Sequence, residues 1–263
     1  GTEINCGPDC EHFPFSVKGY DLWLKTDTNL ARKIFTYVIN VCGKDYFEKM
    51  MDHMSFKGKC DDSEIAVTAA GSAVFNILFV EKGADGQTLA QRWKSSGWNG
   101  LTNDERRMMD CRMSSRATII EIQKTLDNQM MECIDLLDTA RGKVILLDRN
   151  TAARAVRFTR LFTWFTHYPY FSRPENNGVE IPDSIFAEFM ELAEQKFTRE
   201  SKKRPGLTLK DYLSEDFGVF CGLIYELARD KSVAALERMD FHQCKAVYRI
   251  EGKFDEIKTI LDT

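Results

Sequence analysis

The chain is poor in the features that would name an activity outright. Of its 263 residues only four are histidine, so imidazole-based chemistry has few places to reside. His53, His167 and His242 are scattered, with no partner visible nearby in sequence. No run of eighteen apolar residues occurs, and no basic, apolar, small-residue order opens the chain. These absences point away from a membrane span and a secretory signal, and the expectation is a cytoplasmic protein. A nucleophile elbow, a Walker-type phosphate loop, a dinucleotide fingerprint and a His-Glu-x-x-His pair are all missing. With a net charge of −4 the surface as a whole is unsuited to polyanions, so any nucleic-acid role has to be local.

What is present is the balance of a packed protein, 43% hydrophobic and 29% charged. Cys42, Cys111, Cys133, Cys221 and Cys244 sit in apolar periodic segments, where a reduced thiol behaves as a small hydrophobe. Cys6, Cys10 and His12 fall within seven residues of a Gly- and Pro-containing segment. A flexible chain presents soft ligands to zinc in this way, and Cys60 or Cys42 would complete a tetrahedral site. Unliganded thiols are the favoured reading of these residues; zinc is the one cofactor they suggest, and redox chemistry is the third alternative.

The first twenty-five residues read as an irregular lead-in because Gly7, Pro8, Pro14 and Gly19 interrupt them. Helical spacing begins at Asp27 and ends at Gly43, followed by helices over 44–54, 63–80 and 88–93. Thr102 and Glu105 have the spacing of a capping box, with a helix to about Met113. The period then changes. Residues 117–123, 130–137, 143–148, 161–166 and 178–181 read as short strands with short links, which favours a small antiparallel β-barrel of SH3-like or OB-like type. Helices over 184–199 and 208–229, a strand over 244–250 and a helix over 254–261 complete an α+β chain. The expected division is an irregular and helical region 1–114, a β-rich centre 115–182 and a helical region 183–263. The last ends inside a periodic segment, so a longer protein is expected.

The strongest functional signal is electrostatic. Between residues 141 and 173 stand seven Lys or Arg against one acid, Asp148, a local charge of +6 in an acidic chain. Phe158, Phe162, Trp164, Phe165, Tyr168, Tyr170 and Phe171 interleave with them. Phosphate neutralisation beside base stacking is how small barrels hold single strands, and the candidate contacts are Arg149, Arg154, Arg157, Arg160, Tyr168, Tyr170 and Arg173. The leading expectation is a non-enzymatic binder of RNA or another polyanion. Arginines that merely form surface ion pairs, a protein-interaction module of a larger assembly, and an enzyme assembled from distant residues are the competing readings.

LTNDE at 101–105, SRATIIEI at 115–122, CIDLLD at 133–138, LDRNTAAR at 147–154 and TWFT at 163–166 together resemble an uncharacterised group of bacterial proteins often joined to a SEC-C zinc motif. The resemblance implies a helix followed by a line of strands with an "Arg-Ser-Ala-Ser-Arg"-like loop, and no catalytic motif. The cysteine pattern that defines the SEC-C site is absent, and Cys6 and Cys10 do not reproduce its spacing.

Overall fold

A computed structural model of the chain describes residues 16–55, 62–175 and 178–238. The first helix, α1 (Val17–Cys42), starts inside the stretch expected to be irregular. Ser16 caps it by accepting the Gly19 N–H at 2.9 Å. Tyr20, Trp23, Leu30, Ile34 and Val38 then fall on one buried stripe, and this burial outweighs the single helical glycine. Gly43, at φ 82°, turns the chain into α2 (Lys44–Met54), a left-handed conformation that only glycine adopts cheaply. Helices α3 (Asp62–Phe79), α4 (Leu89–Ser95) and α5 (Asn103–Arg112) follow. Thr102 and Glu105 form the expected capping box on α5, and Lys33 of α1 bonds the same Glu105 carboxylate at 2.7 Å. Burial raises the Glu105 carboxyl, but the Lys33 and Thr102 hydrogen bonds outweigh it and hold the group below its ordinary range.

The centre is a small barrel of β1 (Arg116–Thr125), β2 (Met130–Asp135), β3 (Lys143–Leu147), β4 (Arg160–His167) and β5 (Ser172–Pro174). The ring order is β1-β2-β3-β5-β4, and β1 pairs with β4 to close it. The expectation of an antiparallel barrel needs one correction: β3 and β5 run parallel. Five is an odd number, so a closed ring cannot alternate direction throughout and one neighbouring pair must be parallel. This order, with a short helix α6 (Arg149–Ala152) between β3 and β4, is OB-type connectivity. A two-residue strand β6 (Val179–Glu180) continues the β5 edge alongside β4.

Inside the ring lie Ile120, Ile122, Met131, Cys133, Leu146 and Phe165, with Ala152 and Ala155 packed against them from the β3–β4 connection. The opposite faces of β1 and β4 carry Ala117, Ile119, Phe162 and Trp164, which join the main helical core, so this wall is buried on both sides. Phe162 stacks on Phe217 at 4.6 Å and Trp164 meets Phe75 at 5.5 Å. The helices α7 (Asp183–Ser201), α8 (Leu209–Glu215) and α9 (Phe217–Arg238) supply the C-terminal side of that core. A methyl group at Gly218 would lie 2.2 Å from the Met54 carbonyl oxygen, so glycine is what lets α9 pass the end of α2. The chain up to Lys231 clusters as one compact unit, and one continuous core crosses the expected boundaries at 114 and 182. The expected strand at 244–250 and the helix at 254–261 lie outside the described residues.

Among the described residues Cys42, Cys111, Cys133 and Cys221 form no disulfide, and the last two are fully buried as core residues. Burial pushes the Cys133 thiol up to about 12. No helix among the described residues is long and apolar enough to cross a membrane.

Candidate functional site

The connection from β3 to β4 carries most of the arginine signal. Asp148 opens it by accepting the backbone N–H and the hydroxyl of Thr151, each at 2.8 Å, which caps the single turn of α6. Beyond that turn the chain is hooked to β1: Phe158 N–H donates to Ile122 O at 2.7 Å and Ile122 N–H to Thr159 O at 2.9 Å. Between these anchors Phe158 takes φ 71°, a region a non-glycine residue enters at a cost on the order of 1–3 kcal/mol. Its side chain is nonetheless 47% exposed, beside Val156 at 70%. The Arg157 guanidinium lies 4.6 Å from the Phe158 ring centre. Arg154 and Arg157 are exposed and form no ion pair with a described residue. Lys124, two residues beyond Ile122 on β1, is exposed as well.

The other five cations of residues 141–173 are engaged. Arg141 meets Asp138 at 3.4 Å and Lys143 meets Glu132 at 2.6 Å. Arg149 pairs with Asp21 at 2.6 Å and lies over the Tyr20 ring at 4.1 Å, both on α1. Arg160 bridges Glu121 at 2.7 Å and Asp183 at 2.5 Å, with its guanidinium over Phe186. Arg173 is nearly buried against Trp23 at 4.4 Å, with Asp148 at 3.4 Å and hydrogen bonds to Tyr20 and the Leu147 carbonyl. Acids that lie outside the segment in sequence thus balance most of its +6 in space. Tyr168 is buried, stacked on Phe171 at 4.7 Å and edge-on to Trp23 at 5.9 Å. Tyr170 is exposed, but at the opposite end of β4 from Phe158. The seven expected contacts therefore do not all stand free: Arg154 and Arg157 are exposed on one loop, and the others are engaged or distant.

OB-type barrels commonly take ligands on β2–β3 between the β1–β2 and β4–β5 loops. Here α1 covers part of that side. Trp23 packs on the β4–β5 loop through Tyr168 and Phe171, and Arg149 ties Asp21 to Gln129 of the β1–β2 loop. A second tie runs through Arg112, whose side chain is 4% exposed and donates at 2.5 Å to both Asp27 of α1 and Glu175 beyond β5.

The opposite end of the barrel is polar. Asp135 accepts from Thr118 and from the Lys210 ammonium, each at 2.6 Å, and His167 Nδ1 meets Ser172 Oγ at 2.7 Å. Burial lowers His167 to about 4, with Arg141 contributing in the same direction, so the imidazole is neutral near pH 7. Asp135, Asp138 and His167 lie close enough to share a metal ion, but the Lys210 ammonium already supplies a cation to Asp135. The expected zinc ligands Cys6, Cys10, His12 and Cys60 all fall outside the described residues.

Two features escaped the sequence reading. Lys124 belongs to a different strand, and nothing in a phenylalanine signals the left-handed backbone that holds Phe158 outward. Comparison of the chain with protein-family models, with curated proteins and with solved structures finds no match.

Proposed function

We propose that the protein binds a polyanion, with unpaired RNA the preferred class, through the exposed loop 154–158 of its OB-type barrel. The observation that carries this reading is Phe158: a strained backbone keeps an aromatic ring in solvent with a guanidinium at its side. A half-exposed ring with Arg157 against it, and Arg154 on the same loop, offers stacking to a base and charge to the neighbouring phosphates. Lys124 extends the positive edge along β1. The LDRNTAAR stretch that resembles the SEC-C-associated group leads directly into this loop. Binding here involves no reaction, consistent with the absence of a catalytic motif in the sequence.

The test is retention of a labelled single-stranded RNA pool by the wild type, by Arg154→Glu/Arg157→Glu and by Phe158→Ala. Binding in the wild type that is lost in the double variant and reduced in Phe158→Ala supports the reading. Absent wild-type binding, or equal binding by all three, refutes it. A protein partner is the second reading, favoured by Val156, the most exposed large apolar side chain among the described residues, on the same loop. Co-purification of a stoichiometric protein free of nucleic acid would select it.

A further inference from the structure

Away from the barrel loop, a cleft of about 720 Å³ opens between α2, the end of α3 and α8, within the size range of small-molecule sites. Met50, Phe79, Val80 and Met113 give it an apolar floor. Its charges are arranged unevenly. The two arginines on its wall are each neutralised by their own carboxylate: Arg116 by Asp211 at 2.5 Å, and Arg204 by a two-pronged contact with Glu215 at 2.5 and 2.6 Å. Two further acids line the cleft with no Lys or Arg in direct salt-bridge contact among the described residues. Glu81 accepts the Tyr46 hydroxyl, and Asp216 meets the His53 imidazole at 3.4 Å, with Lys196 acting on it from farther away. Lys82 on the rim provides one charge against these two. Burial raises the Asp216 carboxyl above its ordinary range and Glu215 adds to the effect, which His53 and Lys196 offset only in part.

We propose that this cleft binds a small organic amine, its ammonium held by Asp216 or Glu81 and its apolar body lying on Phe79, Met50 and Met113. An organic anion would meet arginines whose charge is already taken and carboxylates that repel it. A neutral apolar molecule would leave both acids uncompensated. An ammonium satisfies them, and the Tyr46 and Phe79 rings and the methionine sulfurs are favourable neighbours for it.

Calorimetric titration of the full chain with phenethylamine, and separately with phenylacetate and phenethyl alcohol, tests this. The amine is expected to bind saturably and at least tenfold more tightly than the two analogues. At least one of Asp216→Asn and Glu81→Gln, the second on an exposed side chain, is expected to weaken it about tenfold. Glu191→Gln on the outer face of α7 should leave it unchanged. Arg154→Glu/Arg157→Glu should also bind the amine normally, which separates this site from the RNA-binding loop. Phenylacetate binding as well as the amine, no saturation by the amine at millimolar concentration, or full amine binding in both cleft variants would each overturn the proposal.

Discussion

The proposed binding of RNA carries a salt dependence set by how many cations are free to meet phosphates, and that number differs sharply between sequence and structure. The segment 141–173 carries seven cations in sequence. If all seven displaced counterions from a single strand, log K would fall against log salt with a slope of about −5, close to a thousandfold loss between about 50 and 200 mM salt. In the fold five are engaged, leaving Arg154 and Arg157, with Lys124 beside them. Two or three contacts predict a slope of about −1.4 to −2.1, a loss of only about 7- to 20-fold over the same range. Fluorescence anisotropy of a labelled single-stranded oligonucleotide at four or five salt concentrations measures it directly. Replacing Arg154 alone should flatten the slope by about 0.7, whereas replacing Arg141, at the other end of the barrel, should leave it unchanged. A slope near −5, or a flattening on replacing Arg141, would show that the ion pairs open to serve the ligand and that counting unpaired cations is the wrong reasoning.

Three further outcomes follow from the packing. Arg112→Met leaves Asp27 and Glu175 buried without their cation, so urea unfolding should show a loss of about 3–5 kcal/mol. Adding Glu175→Gln should recover part of it, with a coupling above about 0.5 kcal/mol, and strictly additive losses would refute the network. His167 has a folded pKa of about 4, below its unfolded value, so the folded state holds fewer protons in that interval. Its contribution is complete above about pH 6.5 and is lost as pH falls towards 4, a destabilisation of about 2 kcal/mol after allowing for partial exposure. His167→Gln should remove that part of the slope in stability against pH, and an unchanged slope would sink the assignment. Gly218→Ala forces α9 away from Met54 and should cost about 1–3 kcal/mol or more, read as a lower urea midpoint at unchanged m. Wild-type stability in that variant would mean α2 and α9 do not pack as described.

Local signals were legible in the sequence and long-range ones were not. The capping box of α5 involves Thr102 and Glu105, three residues apart, and the alternation of β1 to β4 lies within single strands. The start of α1 was missed because Gly19 resembles a breaker until the Trp23 stripe has a barrel to lie on. The parallel β3–β5 pair follows from ring closure, which no single strand announces. The charge segregation at 141–173 was real in sequence, yet Asp21, Glu121 and Asp183 reach it from other elements. Their distance along the chain hid the compensation. The amine cleft was equally hidden, since its walls come from five separate stretches and none carries a motif. Arg154 and Arg157 stay exposed because the loop that carries them is short and lacks acids.

The clasp between α1 and the barrel also bears on the order in which the molecule can be completed. Tyr20 and Arg173 touch although 153 residues separate them, and Trp23 rests on Tyr168 and Phe171, which emerge from the ribosome equally late. During synthesis, α1 therefore waits with its tryptophan stripe uncovered until the β4–β5 loop has been made. At roughly 5–20 residues per second that interval lasts on the order of ten to thirty seconds. That helix thus needs shielding for as long as the intervening chain is being translated.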